Sequence, residues 1–155
     1  MRKIYRFFLS RPLWLVYIIL LCSLIVLPSS MGNLLSEYFS LESDWKVQDI
    51  TLSFKEIVSV LIITPLLETA IYQCFIFLFL KYLFNLRTFL IISISSVIFG
   101  LAHYYNIVYI LSAIISGIIL IFTYIIFDKR KLHPFWMTTS LHFLINLLAL
   151  TAYIK

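Results

Sequence analysis

Residues 54–83 read FKEIVSVLIITPLLETAIYQCFIFLFLKYL, an apolar run interrupted near its middle by Pro65 and Glu68. Ser53 followed by Glu56 is a capping-box signature, so the run starts as a helix. At about 1.5 Å per residue it is about 45 Å long, whereas the hydrocarbon core of a bilayer is roughly 30 Å thick. A membrane helix of that length is tilted, kinked or broken, and Pro65 marks the place. It removes one backbone hydrogen bond and crowds the carbonyl of Leu61, freeing polar backbone just before Glu68. A charged side chain at a helix centre costs about 2.5 to 3.5 kcal/mol on insertion scales, which makes Glu68 a candidate functional residue.

The rest of the chain agrees with a membrane setting. Apolar residues make up 63% and charged ones 12%, and mean hydropathy is +1.04; soluble domains are about half apolar and a quarter charged. The expected fold is all-α, a polytopic transmembrane helix bundle of about five spans. Leu13 to Leu27 is the first span, the run from residue 54 the second, Thr88 to His103 the third, Ile107 to Phe127 the fourth and Pro134 to Tyr153 the fifth, with proline suited to that last helix start. Residues 32–52 are the extended polar segment, and Leu34, Leu35, Tyr38 and Phe39 suggest a short helix lying at the interface. This divides the chain into an N-terminal helix with an interfacial segment (1–53) and a core (54–155).

A basic head before the first span also describes a signal peptide. No A-x-A-like site follows, only Pro28-Ser29-Ser30-Met31, so the segment is expected to remain as a helix. The net charge of +5 reads as topology rather than as a nucleic-acid surface. Arg2, Lys3, Arg6, Arg11, Lys81, Arg87, Lys129, Arg130 and Lys131 fall on one side; Lys46, Lys55 and Lys155 fall on the other. That asymmetry predicts a cytoplasmic N terminus; the expected location is the plasma membrane. Cys22 and Cys74 lack metal-ligand spacing and sit in apolar stretches, which argues against a zinc or disulfide framework.

Three more polar residues share the apolar setting of Glu68. Counting along the helices, Glu68 lies about 20 Å from Lys81, His103 about 22 Å from Thr88 and Asn146 about 18 Å from Pro134. Those depths are compatible with one cavity. His142 and Asn146 are four residues apart and share a helix face, as do Phe99 and His103. Small residues, Ser93, Ser95, Ser96, Gly100 and Ala102, then Ser112, Ala113, Ser116 and Gly117, would let the helices approach closely. A hydrolase needs a base to activate water and donors for the oxyanion; Glu68 with His103 suits the first task, His142 with Asn146 the second. Glu68, His103 and His142 could equally hold a divalent metal such as zinc, so a metal hydrolase stays open, although no H-E-x-x-H occurs and none is expected to be obligatory. Tyr72 reads as packing and His133 as surface.

The residues also resemble a family. Pro65-Leu66-Leu67-Glu68-Thr69-Ala70-Ile71-Tyr72-Gln73 is similar to the first motif of the CPBP family, the intramembrane CAAX-type proteases and bacteriocin-processing enzymes, normally E-E-x-x-x-R. Phe99-Gly100-Leu101-Ala102-His103 resembles its F-x-x-x-H motif and His142-Phe143-Leu144-Ile145-Asn146 its H-x-x-x-N/D motif. The likeness covers about residues 54–153. It implies an intramembrane endopeptidase acting on a peptide or protein substrate among membrane lipids, with Glu68 and His103 activating water and His142 and Asn146 holding the oxyanion. Thr69 and Gln73 depart from the motif, so a charged pair becomes a neutral pair expected to hydrogen-bond. The alternative is a catalytically silent relative, a bacteriocin-immunity or peptide-binding membrane protein. A proton-coupled transporter is a third reading, and the lack of a paired repeat counts against it.

Overall fold

The computed structural model describes residues 2–38 and 53–153, and among them every regular element is a helix. The basic head is a helix of its own, α1 (Arg2–Ser10), separated by Arg11-Pro12 from α2 (Leu13–Tyr38). The rest comprises α3 (Phe54–Leu83), α4 (Thr88–Leu101), α5 (Ile107–Arg130) and α6 (Pro134–Tyr153). α2, α3 and α5 are long and apolar enough to cross a membrane; α4, with 14 residues, is a shorter apolar helix.

Local chemistry sets most of these ends. Ser53 and Glu56 form the expected capping box: Glu56 N–H donates to Ser53 Oγ at 3.3 Å and Ser53 N–H to Glu56 Oε2 at 2.7 Å. Asn106 caps α5 by accepting from Tyr109 N–H at 2.8 Å. That helix continues to Arg130 rather than stopping at Phe127, and ends where Lys131 takes φ 57°, with Leu132 N–H donating back to Phe127 O at 3.0 Å.

Two boundaries differ from the sequence reading. α2 does not stop near Pro28 but continues to Tyr38, so 32–38 extend the first helix rather than lying apart; the remainder of the expected interfacial segment, 39–52, falls outside the described residues. One internal proline removes a single N–H, and the Ser29 and Ser36 hydroxyls bond carbonyls of their own helix, Ile25 O and Gly32 O, both at 2.8 Å. α4 ends at Leu101, and His103 follows it in a turn tied by its own N–H to Gly100 O at 3.0 Å.

α3 accommodates Pro65 without breaking. Its length is made partly of π-helical turns at Ser59–Ile63, Thr69–Phe75 and Phe79–Leu83. Just before the proline, Thr64 N–H donates to Ser59 O, five residues back. That leaves Val60 O without a helical donor: Thr64 is taken, and its π partner is Pro65, which has no N–H.

α5 is the centre of the bundle, with 61% of its most apolar window buried against 17% for α2 and 22% for α3. α4 packs on it through glycines. A Cβ on Gly100 would collide with Ile114 and reach within 3.0 Å of Ile110 O; one on Gly117 would lie 3.1 Å from Ser96 Cα. Ile121, Ile125, Ile126 and Phe127 complete the core below this contact. At the basic end, Arg130 donates to Phe8 O and, at 2.6 Å, to Arg11 O, tying α1 to α5.

Candidate active site

The four predicted residues come from two helices and one turn. Glu68 closes the α-helical stretch after Pro65; His142 and Asn146 lie one turn apart on α6; His103 hangs beyond the end of α4. His103 Nε2 is 3.6 Å from Glu68 Oε1, and His142 Nε2 is 3.4 Å from Glu68 Oε2. The carboxylate therefore sits between two imidazoles, each addressed to a different oxygen. His142 is buried, while Glu68 and His103 keep about a fifth of their side-chain surface, 20% and 18%.

The ring of His103 is fixed by its other nitrogen. Nδ1 lies 2.7 Å from Phe99 O, and because a carbonyl only accepts, Nδ1 is the donor there and Nε2 is the nitrogen turned toward Glu68. Phe99 is buried and packs both rings, with centroids 4.5 Å from His103 and 6.1 Å from His142. Tyr72 meets Phe99 edge-on at 5.4 Å, the packing role expected of it. His133 is on the surface, with φ 40° beside the α5 terminus.

Asn146 has a use that the sequence did not suggest. Its Nδ2 donates at 2.9 Å to Val60 O, the carbonyl that the π turn and Pro65 leave without a donor. One amide N–H is committed there; the second N–H and Oδ1 remain. The same bond fixes α6 against α3 one turn along α6 from His142, which meets Glu68.

A cavity of about 430 Å³ adjoins these residues, lined by Phe99, His103, Tyr109, Ser112, His142 and Asn146 together with one face of α2. Three of the four predicted residues line it. Glu68 does not; it meets the cavity through the two imidazoles. Tyr109 was not singled out from sequence, and Ser112 was read only as one of the small residues that let α5 approach its neighbour.

Thr69 and Gln73 do not form the expected hydrogen-bonded pair. Both are fully buried, and among the described residues neither Thr69 Oγ1 nor either polar atom of the Gln73 amide has a partner. They lie in a π-helical stretch, where the repeat is i to i+5, so residues four apart are not stacked as in an α-helix. Among the described residues no group of three His, Cys, Asp or Glu side chains is arranged to hold a metal ion. Cys22 and Cys74 are free thiols.

A family model described as type II CAAX prenyl endopeptidase Rce1-like matches residues 50–148. The match takes in all three motifs and leaves α1 and α2 outside. No curated protein and no solved structure matches the chain.

Proposed function

The chain belongs to the Rce1-like family of type II CAAX prenyl endopeptidases, and on that premise we propose that it is an intramembrane endopeptidase using glutamate-activated water. The observation that carries this reading is Glu68 held between two imidazole Nε2 atoms, at 3.6 and 3.4 Å, beside the cavity. A water within about 3 Å of both Glu68 Oε1 and His103 Nε2 has two acceptors for its protons, which is the reach general-base catalysis requires. Attack on a substrate carbonyl then places negative charge where His142 and the free N–H of Asn146 can donate. The proton taken from water goes to the leaving amine, completing hydrolysis. No obligatory metal enters this scheme, and the N terminus is taken as cytoplasmic, in the plasma membrane.

The test is hydrolysis of a peptide library by the purified chain in detergent. Glu68→Gln keeps shape and hydrogen-bonding capacity but not the base, so cleavage should fall by about two to four orders of magnitude with folding retained. Full cleavage by Glu68→Gln refutes the mechanism. Loss of wild-type cleavage on chelation, with return on adding zinc, would move the same residues to metal ligation.

A second reading, a silent relative that binds peptide without cutting it, is favoured by one observation: Thr69 and Gln73 are buried without partners among the described residues where the resembled motif carries charge. Peptide binding by a wild type that cleaves nothing would decide for it.

A further inference from the structure

One wall of the cavity comes from outside the family-matched region. Leu24, Pro28, Ser29, Gly32 and Asn33 line it, all on one face of α2, whereas the match begins at residue 50. Before Pro28 this helix is fixed: Val16, Leu20 and Leu24 are buried, and Tyr17 Oη lies 2.8 Å from Ser140 Oγ. Beyond Pro28, Gly32 alone of the described residues is buried. The Ser29 hydroxyl is already bonded to Ile25 O. The Asn33 amide is not bonded by any described residue, and it faces the cavity. On α5, Ser112 lines the same cavity, is buried at 9% exposure, and its hydroxyl has no partner among the described residues. Neither belongs to the set assigned to water or oxyanion.

We propose that Asn33 and Ser112 form a substrate subsite that holds the main chain of a peptide segment beside His142 and Asn146. This rests on the endopeptidase reading and adds the residues that position its substrate. An amide side chain offers one acceptor and a donor pair, the complement of a peptide unit, and a hydroxyl can serve either end. No Lys, Arg, Asp or Glu lines the cavity, so its occupant is uncharged there. A volume of about 430 Å³ falls within the range of sites that enclose a small ligand, enough for a short stretch of chain. An unpartnered buried hydroxyl is destabilising on its own, and a substrate that supplies its partner removes that penalty.

The test uses the full chain in detergent with a farnesylated CAAX peptide as probe. Asn33→Leu and Ser112→Ala should each raise KM about three- to tenfold, the worth of one hydrogen bond, with kcat within about twofold. Asn33→Gln should recover part of the loss, and Val26→Ala, on the 56% exposed side of α2, should change neither constant. A photo-crosslinking residue at position 33 should label the peptide and one at position 26 should not. Unchanged KM in Asn33→Leu, or cleavage without labelling at 33, overturns the subsite while leaving the endopeptidase standing. Labelling at 33 without cleavage by the wild type leaves the subsite standing and overturns the endopeptidase. Neither labelling nor cleavage overturns both.

Discussion

The contact of α4 with α5 and the contact of α3 with α6 use small and polar residues in opposite ways. Between α4 and α5 the hydroxyls of Ser93, Ser96 and Ser116 bond carbonyls of their own helices, at 3.1, 2.8 and 3.2 Å, and glycines bring the backbones together. On α3 and α6, Thr69, Gln73, Thr138, Thr139 and His142 are buried with side-chain atoms left unpartnered among the described residues. The first contact gains from close packing, the main source of helix association inside a membrane. The second holds polar groups whose partners must come from elsewhere, which is what a site for water and substrate requires. Stability and chemistry are assigned to different faces of one bundle.

The largest expected effect tests whether that division holds at Asn146, which serves both. Asn146→Ala should lower turnover by roughly a hundredfold or more through the lost oxyanion donor. It should also destabilise by about 1 kcal/mol, because Val60 O loses its one side-chain donor. The two effects separate with Pro65→Ala, which restores an N–H at position 65. In the Asn146→Ala background it should return stability, measured by thermal unfolding in detergent, and leave turnover low. Recovery of both would mean that Asn146 acts only by fixing the helix.

On the dry face, Gly100→Ala should destabilise by about 1 to 3 kcal/mol, since the added carbon meets Ile114 and the backbone at Ile110. Gly117→Ala is milder: its closest contacts are Phe99 Cδ1 and Ser96 Cα, both at 3.1 Å. Phe99 backs both imidazoles, so Gly117→Ala should lower kcat more than its stability loss alone predicts. A kcat unchanged by Gly117→Ala would mean that the packing face is insulated from the site.

On the wet face, Gln73→Leu should be neutral or stabilising by about 1 kcal/mol, because the change removes two polar atoms that no described residue satisfies. A loss of stability instead would indicate that ordered water bridges this amide, and that the polar face is hydrated internally.

How legible each face was follows from the range of the interactions that made it. Ser53 with Glu56, and Pro134, act within a turn of their own position, and both helix starts were readable. The small residues of α4 and α5 announced close approach because their effect depends on size alone. Glu68, His103 and His142 stood out because ionisable groups in apolar sequence are costly. The π turns of α3 were not readable, since they answer to Pro65 and to packing together. The bond from Asn146 to Val60 spans 86 positions and exists only because those turns free a carbonyl. Asn33 and Ser112 resemble many polar residues on spanning helices until α2 and α5 are seen to face one cavity.

The smallest expected effect concerns the basic end, where neither face extends. Lys81 Nζ is 3.1 Å from Asp128 Oδ2, and the two side chains are 37% and 35% exposed. A pair so open to solvent contributes at most about 1 kcal/mol. Lys81 also lies over the rings of Phe77 and Tyr82, 4.6 and 5.2 Å from their centroids, so Asp128→Asn leaves the ammonium both rings and should cost less than Lys81→Met, which loses all three partners. Raising salt from 0.1 to 1 M, where the screening length falls from about 10 to about 3 Å, should shrink the Asp128→Asn effect toward zero. An effect above about 2 kcal/mol that salt does not alter would place this pair away from water. The basic residues would then not mark the aqueous boundary, and the orientation inferred from them would fail.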